Sequence, residues 1–225
     1  MLILAIESSA KPVSCAVYSD GALLGQYFQN NGLTHSRTLL AMVESLLKNL
    51  DISAENFDLV AVARGPGSFT GVRIGVSAAK GLAWGLDKPI TGASTLEAMA
   101  YQIPQSGVII CPVMDARRGQ VYNALFEWQD SKLVRLCEDR AISLEHLAND
   151  LKKFAQPCIL LGDGAGINHE ALNNSGIPVS LAPELLRYQT AYGVALAAVN
   201  SNPIPAIELE PSYLRPSQAE RERWN

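Results

Sequence analysis

An acidic residue follows the first apolar, strand-like run in each half of the chain: Glu7 in the first half and Asp115 in the second. Each acid opens a turn, and the backbone N–H groups of such a turn can hold phosphate oxygens while the acid orients a metal-bound water. The turns read Glu7-Ser8-Ser9-Ala10-Lys11-Pro12 and Asp115-Ala116-Arg117-Arg118-Gly119. Ser9 stands where glycine would allow close approach to a phosphate, and Pro12 lacks an N–H donor. We therefore expect no bound cofactor and treat Glu7, Ser9 and Asp115 as vestigial candidates for one.

Two glycine-rich turns are further places where an anion could bind. Gly65-Pro66-Gly67 precedes a predicted helix, and a helix N-terminus can hold an anion. The turn lacks the G-x-x-x-x-G-K-[ST] spacing of a phosphate loop, so we interpret it as structural. Gly162 and Gly164 lie between a predicted strand and a predicted helix. They fit either a vestigial ligand loop or a tight strand-to-helix connection, and both alternatives stay open.

The histidines and cysteines of the chain do not form a recognisable metal motif. His35, His146 and His169 are far apart in sequence, and no H-E-x-x-H motif is present, which argues against a metalloprotease. The cysteines form no C-x-x-C pair and are expected to be small buried side chains. They are Cys15, Cys111, Cys137 and Cys158. We expect no bound metal.

The elements that must position these residues follow the same order twice. Each half is predicted to contain three strands and then helix, strand, helix, strand and helix. The first set is residues 2–6, 13–19, 22–28, 34–50, 57–63, 70–85, 90–91 and 94–101, and the second is 108–114, 120–128, 133–136, 143–154, 158–161, 165–174, 179–181 and 190–200. This βββαβαβα repeat predicts an α/β protein with two lobes, each a mixed sheet covered by helices.

The predicted lobes meet at a Pro- and Gly-containing break near residue 104, and they enclose a cleft. The N-terminal lobe is residues 1–104, and the C-terminal lobe is residues 105–225 with a C-terminal helix and a charged tail from Pro203, expected at the surface. Asp115 and Arg117 either face the cleft or form a salt-bridged hairpin, and both alternatives stay open.

Six motifs, in this order, resemble one known family. They are Leu4-Ala5-Ile6-Glu7-Ser8-Ser9, His35-Ser36, Arg64-Gly65-Pro66-Gly67-Ser68-Phe69-Thr70-Gly71-Val72-Arg73-Ile74-Gly75, Ser94-Thr95-Leu96, Asp115-Ala116-Arg117-Arg118-Gly119-Gln120-Val121-Tyr122 and Pro211-Ser212-Tyr213-Leu214-Arg215. The element order, with an acid after the first strand of each lobe, resembles the actin-like ATPase superfamily with its ASKHA, RNase H-like fold. The motifs span nearly the whole chain and are similar to those of the TsaB (YeaZ) family.

The resemblance implies a non-catalytic function. TsaB-like proteins are scaffolding or activating partners of TsaD, which makes threonylcarbamoyladenosine next to the anticodon of tRNAs that read ANN codons, and TsaE joins them as an associated ATPase. They also form homodimers through the surface thought to bind TsaD. Contact with tRNA is then expected only through the complex. In the related TsaD family an H-x-x-x-H pair holds a metal, and the matching residues here, Thr95 and Met99, cannot replace imidazole ligands.

Two alternatives to the scaffold function come from other classes of protein. One is a weakly active ATP-dependent transferase or kinase with degenerate motifs, in which Gly162 and Gly164 would be a remnant of the adenosine loop of actin-like folds. The other is a metalloprotease, which the histidine spacing disfavours.

Two predicted helices carry more apolar surface than one sheet would cover. The helix over 70–85 is apolar or small on nearly every side, and Gly71, Gly75 and Ala79 lie along one face that allows another element to approach closely. We expect these helices to form a partner interface, with His35 as a capping or interface residue and Arg64 as a partner contact or a strand-end charge. The interface residues are His35, Leu39, Leu40, Val43, Leu47, Arg64, Val72, Arg73, Val76, Ala79, Lys80 and Ala83. The alternative, that the other lobe or the C-terminal helix covers both helices, stays open.

Composition disfavours several other classes of protein. The net charge is −4 and there is no run of Lys or Arg, so the chain is not expected to bind nucleic acid by itself. No apolar run approaches the roughly 20 residues that a membrane helix needs. The N-terminus has no basic segment and turns acidic at Glu7, so it is predicted to be a strand and not a signal peptide. A cytoplasmic protein that does not bind membranes is expected.

Overall fold

A computed structural model describes residues 1–215 as two β-sheets with helices packed on their faces. The first part of the chain forms β1 (Leu2–Glu7), β2 (Val13–Ser19), β3 (Ala22–Gln29), α1 (His35–Leu50), β4 (Leu59–Gly65), α2 (Phe69–Gly85), β5 (Ile90–Ser94) and α3 (Thr95–Tyr101). The strand order is β3-β2-β1-β4-β5, with β1 antiparallel to β2 and parallel to β4. β1 and β4 are buried almost throughout because helices cover both faces of the sheet. The predicted βββαβαβα order is confirmed here.

The second sheet departs from the predicted repeat, because five strands and not three precede its first helix. Its elements are β6 (Ile109–Asp115), β7 (Gln120–Asn123), β8 (Phe126–Gln129), β9 (Lys132–Arg135), β10 (Arg140–Ser143), α4 (Leu144–Leu151), β11 (Cys158–Leu161), α5 (Ala165–Asn174), β12 (Val179–Leu181), α6 (Glu184–Arg187) and α7 (Ala191–Ala198). The main order is β10-β7-β6-β11-β12, and β8 pairs with both β6 and β9.

A proline in β6 explains why the strand predicted over residues 120–128 is divided into β7 and β8. Pro112 has no N–H to donate to an antiparallel neighbour. Val113 pairs with Asn123 of β7 on one side of it, and Ile110 pairs with Phe126 of β8 on the other. The buried Asn123 amide lies beside the break and donates from Nδ2 to the carbonyl oxygen of Pro112 at 2.9 Å. The two sheets are therefore related but not identical in order.

Helix α7 comes late in the chain but packs on the first sheet, on the face opposite α1 and α2. Ala191, Val194 and Ala195 are completely buried there, against small side chains of β1 and β2 such as Ala5 and Ala16. Thr190 caps the helix by accepting a hydrogen bond from the N–H of Gly193. The predicted C-terminal lobe thus supplies a helix to the N-terminal sheet, and the division at residue 104 stays a prediction. No helix in residues 1–215 combines the length and apolar character needed to cross a membrane.

The segment from Pro203 to residue 215, predicted as a surface tail, runs along the first sheet and α2, and each of its residues except Leu209 is at least partly exposed. Ile204 forms a β-bridge with Ile90, and Leu209 is 2% exposed within the core beneath α2. Lys80 holds the segment by donating from Nζ to the carbonyl oxygens of Ile207 and Leu209 at 3.0 and 2.9 Å. The last charged residues of the predicted tail, Glu220, Arg221, Glu222 and Arg223, lie outside the described residues.

A half-buried arginine joins the two sheets through α3. The Arg135 guanidinium contacts the carboxylate of Glu97 at 2.8 Å and that of Asp139 at 2.6 Å, and it lies over the Phe126 ring. Arg135→Met leaves both carboxylates without this cation, so we expect the free energy of unfolding to fall by about 2 kcal/mol. Chemical denaturation would measure the change. Lys132→Met on the same strand, at an exposed position, is the control, and equal losses in both variants would contradict the prediction.

Candidate functional site: the cleft and the adjoining helix pair

A cleft of about 630 Å³ lies where the carboxyl ends of β1 and β6 meet the N-terminus of α2. Its walls are residues 9–11, 67–70, 114–117 and 212–215, together with Tyr122 and Asp163. Asp115 and Arg117 both line it, and the backbone N–H of Arg117 also donates to Asp115 Oδ1 at 2.7 Å. Both residues therefore face the cleft, which is the first of the two alternatives left open, and the backbone hydrogen bond links them within a tight turn.

Glu7, the acid of the first turn, is completely buried behind the cleft wall and does not line the cleft. Its Oε1 accepts a hydrogen bond from the N–H of Ser9 at 2.5 Å, and its Oε2 has no hydrogen-bond partner among the described residues. Burial raises the pKa of the Glu7 carboxyl to about 7, and the nearby Asp163 carboxylate also raises it, while the hydrogen bonds from Ser9 lower it. Glu7 is thus an enclosed acid that stays protonated below about pH 7, in a poor position to orient a water in the cleft.

The N-terminal half of α2 packs directly against the turn after β1. Cβ atoms added at Gly67, Gly71 and Gly75 would each come within 2.3 Å of an oxygen of Ser8 or Ser9. The N–H of Ser68 donates to the Ser9 carbonyl at 2.6 Å, and Ser8 Oγ donates to the Gly71 carbonyl at 2.9 Å. The small-residue face predicted to admit another element therefore admits the turn of β1 in the same chain. The Gly65-Pro66-Gly67 turn, which has a cis Gly65–Pro66 bond, belongs to the same packing contact.

Gly162 and Gly164 are required by packing against β6. Gly162 has φ +101°, and a Cβ atom there would lie 2.3 Å from the carbonyl oxygen of Val113. The N–H of Gly164 donates to that same oxygen at 3.0 Å. Between the two glycines, Asp163 accepts a hydrogen bond from Gln189 Nε2, and burial raises the pKa of its carboxyl. The geometry favours a tight strand-to-helix connection over a loop kept open for a ligand.

The predicted partner interface is largely inside the chain's own core. Six of its residues are at most 4% exposed because α1 and α2 pack on the first sheet and the segment around Leu209 closes the gap beside α2. They are Leu39, Val43, Val72, Val76, Ala79 and Ala83. The expectation that these side chains need a partner is therefore corrected: the alternative, burial within the chain, accounts for them.

The other six predicted interface residues are at least partly accessible. Leu40 is 52% exposed, and Arg64 and Arg73 are also exposed. Leu47 and Lys80 are half-buried. These residues, and not the buried six, are available to another molecule.

His35, the remaining member, is half-buried at the start of α1 and contacts the cleft wall. Its Nε2 donates to the carbonyl oxygen of Ala10 at 2.7 Å, and its Nδ1 is buried with no partner among residues 1–215. The helix N-cap is Thr34, whose side chain makes no capping bond. His35 therefore ties α1 to the turn after β1, and its predicted interface contact stays a prediction.

Several accessible residues near these helices were not among the predicted interface residues. Trp84 is 84% exposed and Ile207 is 85% exposed, on either side of an apolar recess of about 780 Å³ between the end of α2 and residues 203–207. Phe69 and Tyr213 stack at the cleft mouth with ring centroids 4.8 Å apart. Trp84 could have been noticed in the sequence, because it is a large aromatic residue in a helix of small ones. No local sequence pattern indicates where the C-terminal segment lies.

Comparisons with known proteins agree with this architecture. The family model described as "TsaD: tRNA N6-adenosine threonylcarbamoyltransferase" matches residues 30–199. The "tRNA threonylcarbamoyladenosine biosynthesis protein TsaB" of Bacillus subtilis is 34% identical over 174 residues, which cover 77% of this chain and 76% of that protein.

Solved structures extend the agreement to nearly the whole chain. "YeaZ from Pseudomonas aeruginosa" superposes with a TM-score of 0.81 at 26% identity, covering 95% of this chain and 99% of that one. Component A of the (R)-2-hydroxyglutaryl-CoA dehydratase of Acidaminococcus fermentans, at 11% identity and a TM-score of 0.52, covers 87% of this chain and 96% of its own and shares the fold alone. The predicted actin-like α/β fold class is confirmed, and the chain belongs to the TsaB (YeaZ) family.

Proposed function

We propose that this chain supports the synthesis of threonylcarbamoyladenosine in tRNA as a non-catalytic partner of a TsaD transferase. Its family membership supports a function in that biosynthesis, since its relatives carry that name. The modified base is the adenosine next to the anticodon of tRNAs that read ANN codons. In this proposal TsaD carries out the transfer, and the chain binds and activates TsaD.

The state of Glu7 is the observation that carries the non-catalytic assignment. The carboxylate that would orient a metal-bound water is fully buried, bonded to the Ser9 N–H and protonated up to about pH 7. The positions that match the metal-binding pair of TsaD, Thr95 and Met99, are both 0% exposed in α3 and cannot act as imidazole ligands. These contacts favour a structural use of the cleft loops.

The accessible side of α1 and α2 is the proposed docking surface. It is defined here as Leu40 and Leu47 of α1, Arg73 and Trp84 of α2, and Arg64 at the end of β4. Two neighbouring helices with exposed apolar and basic side chains can pack against two helices of another molecule as a four-helix bundle. We propose that this surface joins two copies of the chain when TsaD is absent and joins TsaD when it is present. TsaE then joins the complex, and tRNA contact is indirect, which fits the net charge of −4.

A charged residue on the docking surface should weaken binding to the partner and leave the stability of the fold unchanged. Leu40→Glu is expected to weaken association with a TsaD transferase of the same organism at least tenfold, about 1.4 kcal/mol, because the glutamate loses water on binding. Since Leu40 is 52% exposed, the melting temperature should hardly change. Light scattering would follow the homodimer and the mixed complex, and titration would give the dissociation constant.

The control for this experiment is Leu185→Glu, on α6, where the side chain is 90% exposed and distant in sequence from both helices. Equal effects of the two substitutions, or a wild-type chain that stays monomeric and ignores TsaD, would contradict the proposal. Val76→Glu is unsuitable as a probe because Val76 is 3% exposed and the variant would report on the core.

An ATP-dependent transferase or kinase is the second candidate, favoured by a cleft of about 630 Å³ with Asp115, Asp163 and Lys11 on its walls. ATP turnover by the purified chain, lost in Asp115→Ala, would replace the scaffold proposal. A metalloprotease is not proposed.

A further inference from the structure

The last described residues of the chain cross the mouth of the cleft. Past Leu209, which is 2% exposed, the backbone leaves the core and runs beside the end of β4 and the start of α2. Residues 212–215 form one wall of the cleft. We propose that residues 211–215 are a strap that closes one side of the cleft beside the N-terminus of α2, and that a partner on the docking surface must displace it.

On the first-sheet side, the strap is held by backbone and aromatic contacts. The N–H of Ser212 donates to the carbonyl oxygen of Arg64 at 2.7 Å. At Gly65 a Cβ atom would lie 2.4 Å from the carbonyl oxygen of Ser212, so the strap fits only over glycine there. The Tyr213 ring stacks on Phe69, and its hydroxyl accepts a hydrogen bond from Arg73 Nε at 2.9 Å. The Arg73 guanidinium lies 3.9 Å from the centre of the Phe69 ring and 5.7 Å from that of the Tyr213 ring, so each of the three side chains contacts the other two.

On the second-sheet side, Arg215 anchors the strap. Arg215 Nη1 donates to the carbonyl oxygen of Ala116 at 2.8 Å, in the turn that follows β6. Five residues therefore connect the end of β4 and the start of α2 with the opposite wall of the cleft. Any ligand entering the cleft from this side must first move them.

The strap is built to be released while its base stays in place. Its base is fixed by Leu209 in the core and by the two Lys80 hydrogen bonds to residues 207 and 209. Beyond that base, Glu210 is exposed and Tyr213 is 40% exposed, so the ring contact is open to solvent. Contacts of this kind, exposed and few in number, are those that open locally without global unfolding.

The strap occupies two residues of the docking surface, and this part of the inference rests on the proposed function. It uses the carbonyl oxygen of Arg64 and the guanidinium of Arg73. A helical partner that packs across the start of α2 needs the same space. Strap closure and partner binding therefore compete, and the strap acts as an autoinhibitory contact within the free chain.

Hydrogen exchange of the full-length chain tests the closure directly. Tyr213→Ala and Arg215→Gln, singly and together, should speed amide exchange in residues 69–73 and 116–119 several-fold, while exchange in β1 stays at the wild-type rate. Arg118→Gln is the control, since it removes an arginine charge from the same turn at an exposed position outside the cleft wall. Unchanged exchange in the double variant, in a chain that melts like the wild type, would overturn the strap.

Titration with a TsaD transferase tests the competition. The double variant should bind about tenfold more tightly than the wild type, because the apparent dissociation constant varies inversely with the fraction of molecules whose surface is uncovered. Weaker binding by the double variant would contradict the proposed competition and would indicate that the strap itself contacts the transferase. If neither chain binds the transferase while exchange is faster in the variant, the proposed function fails and the closure of the cleft is supported.

Discussion

Replacing Gly71 with alanine is expected to lower the free energy of unfolding by about 2 kcal/mol, although alanine is the better helix former. A Cβ atom at Gly71 would lie 2.3 Å from the carbonyl oxygen of Ser8, which belongs to the backbone of the turn after β1. Since backbone cannot rotate away as a side chain can, α2 must shift from the sheet, and we expect this to cost about 3 kcal/mol, the upper end of the usual range for overpacking. The gain in helix propensity, about 1 kcal/mol, offsets only part of a larger steric loss.

The same helix offers a matched control of opposite sign. A Cβ atom at Gly81 would meet nothing within 4 Å, and Gly81 lies inside α2. Gly81→Ala is therefore expected to raise the free energy of unfolding by up to about 1 kcal/mol through helix propensity alone. Urea denaturation of both variants would measure the difference. Destabilisation of similar size at both positions would show that the seating of α2 on Ser8 is not what requires Gly71.

Glu7→Gln is expected to make the protein more stable above pH 7 and to leave it nearly unchanged near pH 4. Burial raises the pKa of Glu7 from 4.5 to about 7 in the folded chain, so the folded state binds the proton more tightly than the unfolded state. Stability is therefore greatest below about pH 4.5 as far as this group is concerned, and it declines as the pH rises towards 7. At about 1.4 kcal/mol for each unit of pKa, the full loss is about 3 kcal/mol.

Glutamine suits this test because it keeps the acceptor that Ser9 uses. Its Oε1 can take the hydrogen bond from the Ser9 N–H, and its amide nitrogen replaces the oxygen that has no partner among residues 1–215. The measurement is urea denaturation from pH 4 to pH 8. Glu170→Gln, at an exposed position on α5, controls for the loss of one acidic residue. Parallel pH profiles for wild type and Glu7→Gln would contradict the prediction.

Local patterns predicted most of the first sheet and its helices. The strand at residues 13–19 and the second-half elements at 158–161, 165–174 and 179–181 lie where the structure has them, because alternation, apolar runs and flanking glycines act over a few residues. Pro112 is the residue that separates β7 from β8, but the effect of this proline depends on which strands lie beside β6. Sequence periodicity does not give strand neighbours.

The partner interface was overestimated for a physical reason. An apolar helix requires cover, but its sequence does not say whether a sheet, another helix or a second molecule supplies it. Val72 and Val76 meet β1, β4 and α1, and Leu209 reaches α2 from more than 120 residues later in the chain. The cleft residues were better predicted, since Asp115 and Ser9 both line it, but the enclosure of Glu7 depends on how α2 is seated.

The position of α7 has a consequence for how the chain is made. During synthesis the first sheet emerges from the ribosome long before residues 191–198, yet those residues cover one of its faces, and Leu209 fills part of the other. Until they emerge, small apolar side chains such as Ala5 and Ala16 have no covering layer. The N-terminal half of the nascent chain therefore exposes this apolar face until the later residues emerge. Exposed apolar surface of this kind binds chaperones and promotes aggregation. Folding of this protein is thereby completed from its C-terminal end.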